Sequence, residues 1–278
     1  MILKNTIQKA SLFLKNNYID THSLDAELIL SNIMNTSREF LLLNDELKLS
    51  NSIINKYNKA VEKRAKKEPV AYIVGKKEFW SNDFTVNDST LIPRPETELL
   101  VNEVINFYKN KSINILDIGT GSGCILLSIL KELKRSRGLG IDISHKAIFV
   151  AKKNAKKLKL LNRTRFKTCD VSKLQYHSYD LIVSNPPYIP SGDLRNLSHD
   201  IINYEPLCAL NGGIDGLDLI KKVIYKSNKL LKKSGILAIE IGNSQYRKVS
   251  NILMRNSFRE IKKVYDYNYN VRCIISTK

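Results

Sequence analysis

Residues 113–123 read INILDIGTGSG, a short β-branched apolar run that ends on Asp117–Ile118 and then sets glycine at 119, 121 and 123. An apolar run bounded by glycine predicts a buried strand and a tight turn. CILLSILKEL (124–133) follows at once and predicts a helix. The same order then repeats. GLGIDI (138–143) reads as a strand, and HKAIFVAKKNAKKL (145–158) as a helix with Ala147, Val150, Ala151 and Leu158 on one face. RFKTCD (165–170) and YDLIVS (179–184) are further strands, and GILAIEIG (235–242) is another, after the helix LDLIKKVIYKSNKLL. Strands alternating with helices imply right-handed crossovers and a mainly parallel, doubly wound sheet, an α/β fold.

Upstream the texture changes. Residues 1–75 show no strand alternation and almost no glycine. Apolar residues recur at three- and four-residue steps in Leu3, Ile7, Ala10 and Leu14, in Leu24, Leu28, Ile29 and Ile33, and in Ile53, Ile54, Tyr57 and Val61. That spacing predicts a small all-α bundle over 1–75. Ser23, ahead of Glu27, and Ser50, ahead of Ile53, are expected to cap helix N-termini. EFWSNDFTVNDSTLIP (78–93) mixes aromatic and β-branched residues with Asn, Asp and Ser, which predicts a β-hairpin linker over 76–95. The α/β domain is then expected to run from 96 to 278.

A chain of 278 residues can bury a core in each part. No apolar run reaches the ~18 residues of a membrane span, so no membrane association is expected. The N-terminus lacks a continuous apolar stretch and reads as a first helix rather than a signal peptide. Cys124, Cys169, Cys208 and Cys273 form no CxxC pair, and His22, His145, His177 and His199 show no ligand spacing. Neither a metal site nor a disulfide framework is expected, which suits a reducing cytoplasm. Net charge is +18 and unevenly placed: residues 1–75 carry 11 basic and 8 acidic side chains, and residues 76–278 carry 34 and 19. The excess gathers in KELKRSR (131–137), KKNAKKLK (152–159) and RTRFK (163–167). It favours anionic partners, but in a chain this rich in Lys it equally describes solvated helix faces.

Glycine lets a backbone approach a ligand closely, at the crevice where doubly wound sheets bind their ligands. The spacing here is GxGxG with no phosphate-gripping lysine after it, and a glycine turn alone needs no ligand. The acids around it narrow the reading. Asp142 ends the second strand, where a carboxylate can accept both ribose hydroxyls, and Asp170 ends the third, within reach of an adenine amino group. Three strand-end acids beside a glycine loop predict a nucleoside cofactor. The pattern resembles that of the S-adenosylmethionine-dependent methyltransferases, whose cofactor carries no phosphate. The resemblance implies a Rossmann-like, doubly wound, seven-stranded methyltransferase sheet, S-adenosyl-L-methionine as methyl donor and no metal. Its expected contacts are Asp117, Gly119, Thr120, Gly121, Ser122, Gly123, Asp142, Asp170, Val171 and Asn185.

SNPPYIP (184–190) closes the fourth strand with two residues that cannot donate to a ladder. Read alone, it is a stiff exit from a sheet. Beside an activated methyl group it has a chemical use. A planar amide or amino nitrogen is a poor nucleophile because its lone pair is delocalised, so it must be held with its remaining electron density facing the methyl carbon. The Asn185 side-chain oxygen and the Pro186 carbonyl can accept the two hydrogens of that NH2. Pro186 and Pro187 fix the acceptors, and Tyr188 can stack on the planar group. Asn185, Pro186 and Tyr188 are the expected catalytic residues, and Asn185 to Tyr188 the substrate-binding ones.

LIPRPETELLV (91–101), NPPYIP (185–190) and YEPLCALNGGIDGLD (204–218) closely resemble the PrmC/HemK family, and DAELIL (25–30) with SREFLLL (37–43) resembles its N-terminal helical domain. The resemblance spans essentially the whole chain. At position 171 relatives commonly carry a bulkier ring where this chain has valine. The resemblance implies a cytoplasmic, monomeric protein-glutamine methyltransferase acting on the GGQ glutamine of peptide chain release factors, modulating translation termination. The helical domain would then dock the release factor. The alternative is an amino-methyltransferase acting on adenine or cytosine in nucleic acid, with the basic domain as its electrostatic footprint and base flipping for a duplex. The nearly neutral residues 1–75 are a better protein-docking module than a nucleic-acid reader, so nucleic-acid contact is compatible with this reading but not required by it. A binding module without catalysis would leave the SNPPY chemistry unused.

Overall fold

The structure, a computed structural model, describes residues 1–175 and 178–278. His177, one of the four histidines considered above, lies outside the described residues. The chain divides into two compact units, one formed by Met1–Lys76 with Ser198–Tyr204, the other by Lys77–Leu197 with Glu205–Lys278.

The first unit holds α1 (Leu3–Asn16), α2 (His22–Met34), α3 (Arg38–Leu43), α4 (Asn51–Ala65) and α5 (Val70–Val74), joined by a short helix over His199–Tyr204. Leu3, Leu14, Ile29, Leu30, Leu41 and Tyr57 fill its core. Ser50 caps α4 as expected, accepting from the Ile53 N–H at 3.4 Å. Two expectations for α2 fail. The helix begins at His22 with Thr21, not Ser23, at its N-cap, and the Thr21 hydroxyl donates to Asp25 Oδ2 at 2.8 Å instead of capping the backbone. Leu24 is exposed, while Asp25 and Ala26 are buried. One ion pair accounts for both departures: Asp25 Oδ2 meets Arg64 Nε of α4 at 2.6 Å, with both side chains buried. Burying that carboxylate requires a partner, and it turns the inward stripe of α2 by one residue. A second Arg64 nitrogen reaches Asp200 Oδ2 at 3.3 Å, which ties in the His199–Tyr204 helix. α3 keeps Leu41 inside and leaves Leu42 66% and Leu43 83% exposed.

A hairpin follows, β1 (Lys76–Phe79) and β2 (Asn82–Thr85), which belongs to the second unit from Lys77 on and is turned through Trp80 and Ser81, both left-handed (φ 50° and 52°). The elements of that unit then run α6 (Thr97–Tyr108), β3 (Asn114–Ile118), α7 (Cys124–Glu132), β4 (Arg137–Asp142), α8 (His145–Lys157), β5 (Thr164–Thr168) and β6 (Tyr179–Ser184). The His199–Tyr204 helix is α9, and α10 (Asp218–Leu230), β7 (Leu231–Glu240), α11 (Tyr246–Arg255), β8 (Arg259–Tyr265) and β9 (Val271–Thr277) follow. Seven strands lie in the order β5-β4-β3-β6-β7-β9-β8. β3 to β7 are parallel, and β9 is antiparallel to both β7 and β8. Alternating side chains divide the core. Ile115, Leu181 and Val183 meet α6, α7 and α8 on one face, and Leu116, Ile182 and Leu237 meet α10 and α11 on the other. Among the described residues no helix is long and apolar enough to cross a membrane.

Candidate active site

Strand order decides where the site forms. From β3 the chain winds outward through β4 to β5 and returns as β6 on the other side of β3. A crevice therefore opens beyond the C-terminal ends of β3 and β6. Ile118 pairs with Ser184, and the Ser184 hydroxyl donates to the Ile118 carbonyl at 2.8 Å. The next residues, Gly119 and Asn185, consequently stand side by side.

A cavity of about 520 Å³ fills this crevice, within the ~300–1,000 Å³ typical of small-molecule sites. Gly119, Gly121, Asp142, Asp170, Val171, Asn185 and Pro187 contribute to its wall, with Ile141, Ile143 and Ala147 among its apolar members and Leu207, Cys208 and Asn211 closing it from the segment after Glu205. Asp117, Thr120, Ser122, Gly123, Pro186 and Tyr188 are not part of that wall. Gly119 and Gly121 have φ of 74° and 53°, a region that disfavours a side chain. A Cβ built on either meets no protein atom closer than 4.0 Å, so glycine there keeps the cavity itself clear.

Asp142 anchors the loop. Its two oxygens accept from the Gly121 and Ser144 N–H groups, each at 2.9 Å. Burial pushes its carboxyl up, while the N–H groups of Ser144 and Gly121 pull it back. Asp170 accepts from the Ser172 N–H at 2.7 Å, which holds its carboxyl below the usual range. Asp117 is fully buried behind the glycine loop, with Oδ2 taking the Thr120 hydroxyl at 2.7 Å. Its Oδ1 has no hydrogen-bond partner among the described residues, and burial pushes the carboxyl up to about 7. A buried acceptor left over beside a ligand-sized cavity suits a ligand carrying a positive donor. A carboxylate on the cavity wall, apolar wall residues and a buried acid with an unpartnered oxygen together fit S-adenosylmethionine.

The SNPPY segment is held from three directions. Asn185 Nδ2 donates to the Thr97 hydroxyl at 3.2 Å, and that hydroxyl donates to Glu240 Oε2 at 2.7 Å. Gln245 Nε2 donates to the Tyr188 carbonyl at 2.9 Å and to the Gly216 carbonyl at 3.3 Å, while its Oε1 accepts from the Gly242 N–H at 2.9 Å. Ile189 N–H donates to Leu210 O at 3.1 Å, and Gly212 N–H returns a bond to Ile189 O at 2.8 Å. The Tyr188 ring lies 5.7 Å from the Arg272 guanidinium, and burial pushes its hydroxyl up to about 12. Upstream, Glu205 accepts from the Ile92 N–H at 3.1 Å and pairs with Arg94 at 2.5 Å. The three stretches LIPRPE, NPPYIP and YEPLCALNGG therefore interlock around one crevice.

Sequence reasoning missed Thr97, Glu240, Gln245 and Arg272. One signal was available for Glu240, an acid inside the apolar run GILAIEIG, since a carboxylate in a buried strand needs a reason to be there. Among the described residues no group of three or more His, Cys, Asp or Glu is placed to hold a metal ion.

Residues 5–75 match the family described as PrmC N-terminal domain, and residues 109–275 match the family described as Methyltransferase domain. A release factor glutamine methyltransferase of Caulobacter vibrioides is 38% identical, over 95% of this chain and 92% of its own length. One from Clostridium acetobutylicum is 36% identical, over 100% of this chain and 99% of its own. Among solved structures, the hMettl16 catalytic domain in complex with a MAT2A 3'UTR hairpin superposes with a TM-score of 0.58 at 15% identity, covering 89% of this chain and 91% of that one. At that identity the likeness extends to the fold alone.

Proposed function

The chain belongs to the release factor glutamine methyltransferase family, and we propose that it transfers a methyl group from S-adenosylmethionine to the side-chain amide nitrogen of the GGQ glutamine in peptide chain release factors. The observation that carries this reading is the Ile118–Ser184 pairing, which sets the glycine loop and Asn185 side by side at the mouth of one cavity. Asp142 would accept from the ribose hydroxyls, Gly119 and Gly121 would give the loop its close approach, and Val171 and Asp170 would flank the adenine. Asp117, with Thr120, Ser122 and Gly123 shaping the loop in front of it, would answer the positive amino end of the methionine part. When bound, the cofactor supplies a methyl group already activated by a sulfonium.

The chain's own task is orientation. Asn185 Oδ1 and the Pro186 carbonyl accept the two amide hydrogens, and Pro187 keeps that pair rigid. Tyr188, braced by Arg272, backs the planar group. Such preorganised acceptors are worth several kcal/mol at a reacting centre, and no charged base is needed to hold a neutral amide. The helical residues 1–75 are proposed to dock the release factor, with exposed Leu42 and Leu43 of α3 offering apolar area for it. The enzyme is read as a cytoplasmic monomer whose nucleic-acid contacts are not required. Methylation of adenine or cytosine is not favoured, because relatives matching the whole chain carry the release factor name.

Labelled S-adenosylmethionine incubated with the protein and either release factor or nucleic acid tests the proposal. Label is expected in release factor, and its loss is expected when the GGQ glutamine is replaced by alanine. Label in nucleic acid alone, or in a release factor lacking that glutamine, would refute it.

A further inference from the structure

Asn185 can serve as an acceptor only if its amide sits one way round. Its two ends are nearly equal in shape, so something must distinguish them. A hydroxyl has a single proton. Thr97 spends its proton on Glu240 Oε2 at 2.7 Å, which leaves its oxygen with lone pairs only toward Asn185, 3.2 Å away. An inward Asn185 Oδ1 would oppose those lone pairs, and an outward NH2 would oppose the hydrogens of the target amide.

We infer that Thr97 and Glu240 are positioning residues for methyl transfer: the buried Glu240 carboxylate fixes the polarity of the Thr97 hydroxyl, which in turn holds Asn185 with Nδ2 inward and Oδ1 toward the target. This rests on the function proposed above and deepens it. The burial of Thr97 and Glu240 behind Asn185 makes the device effective. Glu240 is fully buried and Thr97 nearly so, so water does not substitute for either partner.

The relay depends on ionised Glu240. Burial pushes its carboxyl up to about 7, while the Thr97 hydroxyl and the Arg272 guanidinium pull it down and Glu96 pushes it further up. The groups facing it are Arg272 and Cys273 on β9, Glu96 ahead of α6, Tyr188 after β6 and Cys124 on α7. Protonation frees the Thr97 hydroxyl to donate toward Asn185, and the amide is then free to turn. Because the required form is the ionised one, turnover should rise with pH through about 7 and level off above it. Asp117 titrates near the same pH behind the cofactor loop, so the profile is taken at saturating S-adenosylmethionine.

The experiment uses the full-length enzyme with release factor, following kcat against pH, with cofactor affinity from calorimetry. Thr97→Val keeps the shape and removes the hydroxyl, so kcat should fall ~10–100-fold, as for other outer partners that orient a functional group, with cofactor affinity little changed. Thr97→Ser should restore most of the loss, which a purely packing role would not allow. Glu240→Gln should lower kcat and abolish the acid limb. A folded Thr97→Val enzyme with wild-type kcat overturns the inference, as does an acid limb that survives in Glu240→Gln. If neither variant folds, a wild-type kcat flat between roughly pH 6 and 8 overturns it instead. Failure of the wild-type enzyme to label release factor is a different result, since that refutes the proposed function and not the relay.

Discussion

Asp142 takes one backbone N–H on each carboxylate oxygen, from Gly121 and Ser144, and each oxygen keeps a second lone pair for a ligand. Asp142→Ala therefore removes both the loop's anchor and the proposed ribose acceptor. Hydrogen bonds to a charged group contribute about 1.5–3 kcal/mol each, so cofactor affinity should weaken at least tenfold by calorimetric titration. Unchanged affinity would show that the ribose lies elsewhere. Asn185→Ala should give the opposite division: turnover down by ~100-fold or more, cofactor affinity changed only modestly, measured as single-turnover methylation beside the same titration. That Asp142 and Asn185 line the crevice could be read from the sequence because each stands at a strand end beside a turn residue. Thr97 could not, because its role exists only through Glu240, 143 residues away in the chain.

At the scale of elements, a basic run shows how local reading misleads. RTRFK read as surface charge, yet Arg163 donates to the carbonyls of Leu130, Leu133 and Ser136 at 2.7, 3.2 and 3.1 Å. Leu130 lies in the last turn of α7, where carbonyls lack helical partners, and Leu133, which also accepts from the Ser136 N–H at 3.0 Å, and Ser136 lie in the turn after it. Arg163→Ala should therefore cost about 1–3 kcal/mol of stability in urea unfolding, with Arg163→Lys recovering only part because it lacks the guanidinium fork. Equal unfolding midpoints would remove the capping role. The parallel strands and their helices were legible because each keeps a strict period. β7 was placed too short: it starts at Leu231, pairs there with Tyr179, and shifts register before Leu181 meets Ile236. β8 and β9 were not read individually, and a strand that alternates as weakly as REIKKVY is recognised through its partner.

For the whole molecule, the change from helical spacing to strand and glycine after residue 75 was visible in the sequence. That Ser198–Tyr204 packs with the first unit was not, because it depends on Arg64 meeting Asp200. Cutting the chain near residue 76 would strand that helix, so point variants test docking better. Leu42→Ser with Leu43→Ser should raise KM for intact release factor about tenfold, as expected from lost apolar burial, and leave methylation of a short GGQ peptide unchanged. An unaltered KM would exclude α3 from docking. The order of the sheet leaves β5 and β8 without outer neighbours among the described residues, and an unpaired strand invites another chain to add on. Arg165 and Lys167 on β5, and Arg259, Lys262 and Lys263 on β8, put cations on both borders. Part of the charge that suggested a nucleic-acid partner thus acts as a guard against aggregation, keeping separate copies of the chain from joining their sheets edge to edge.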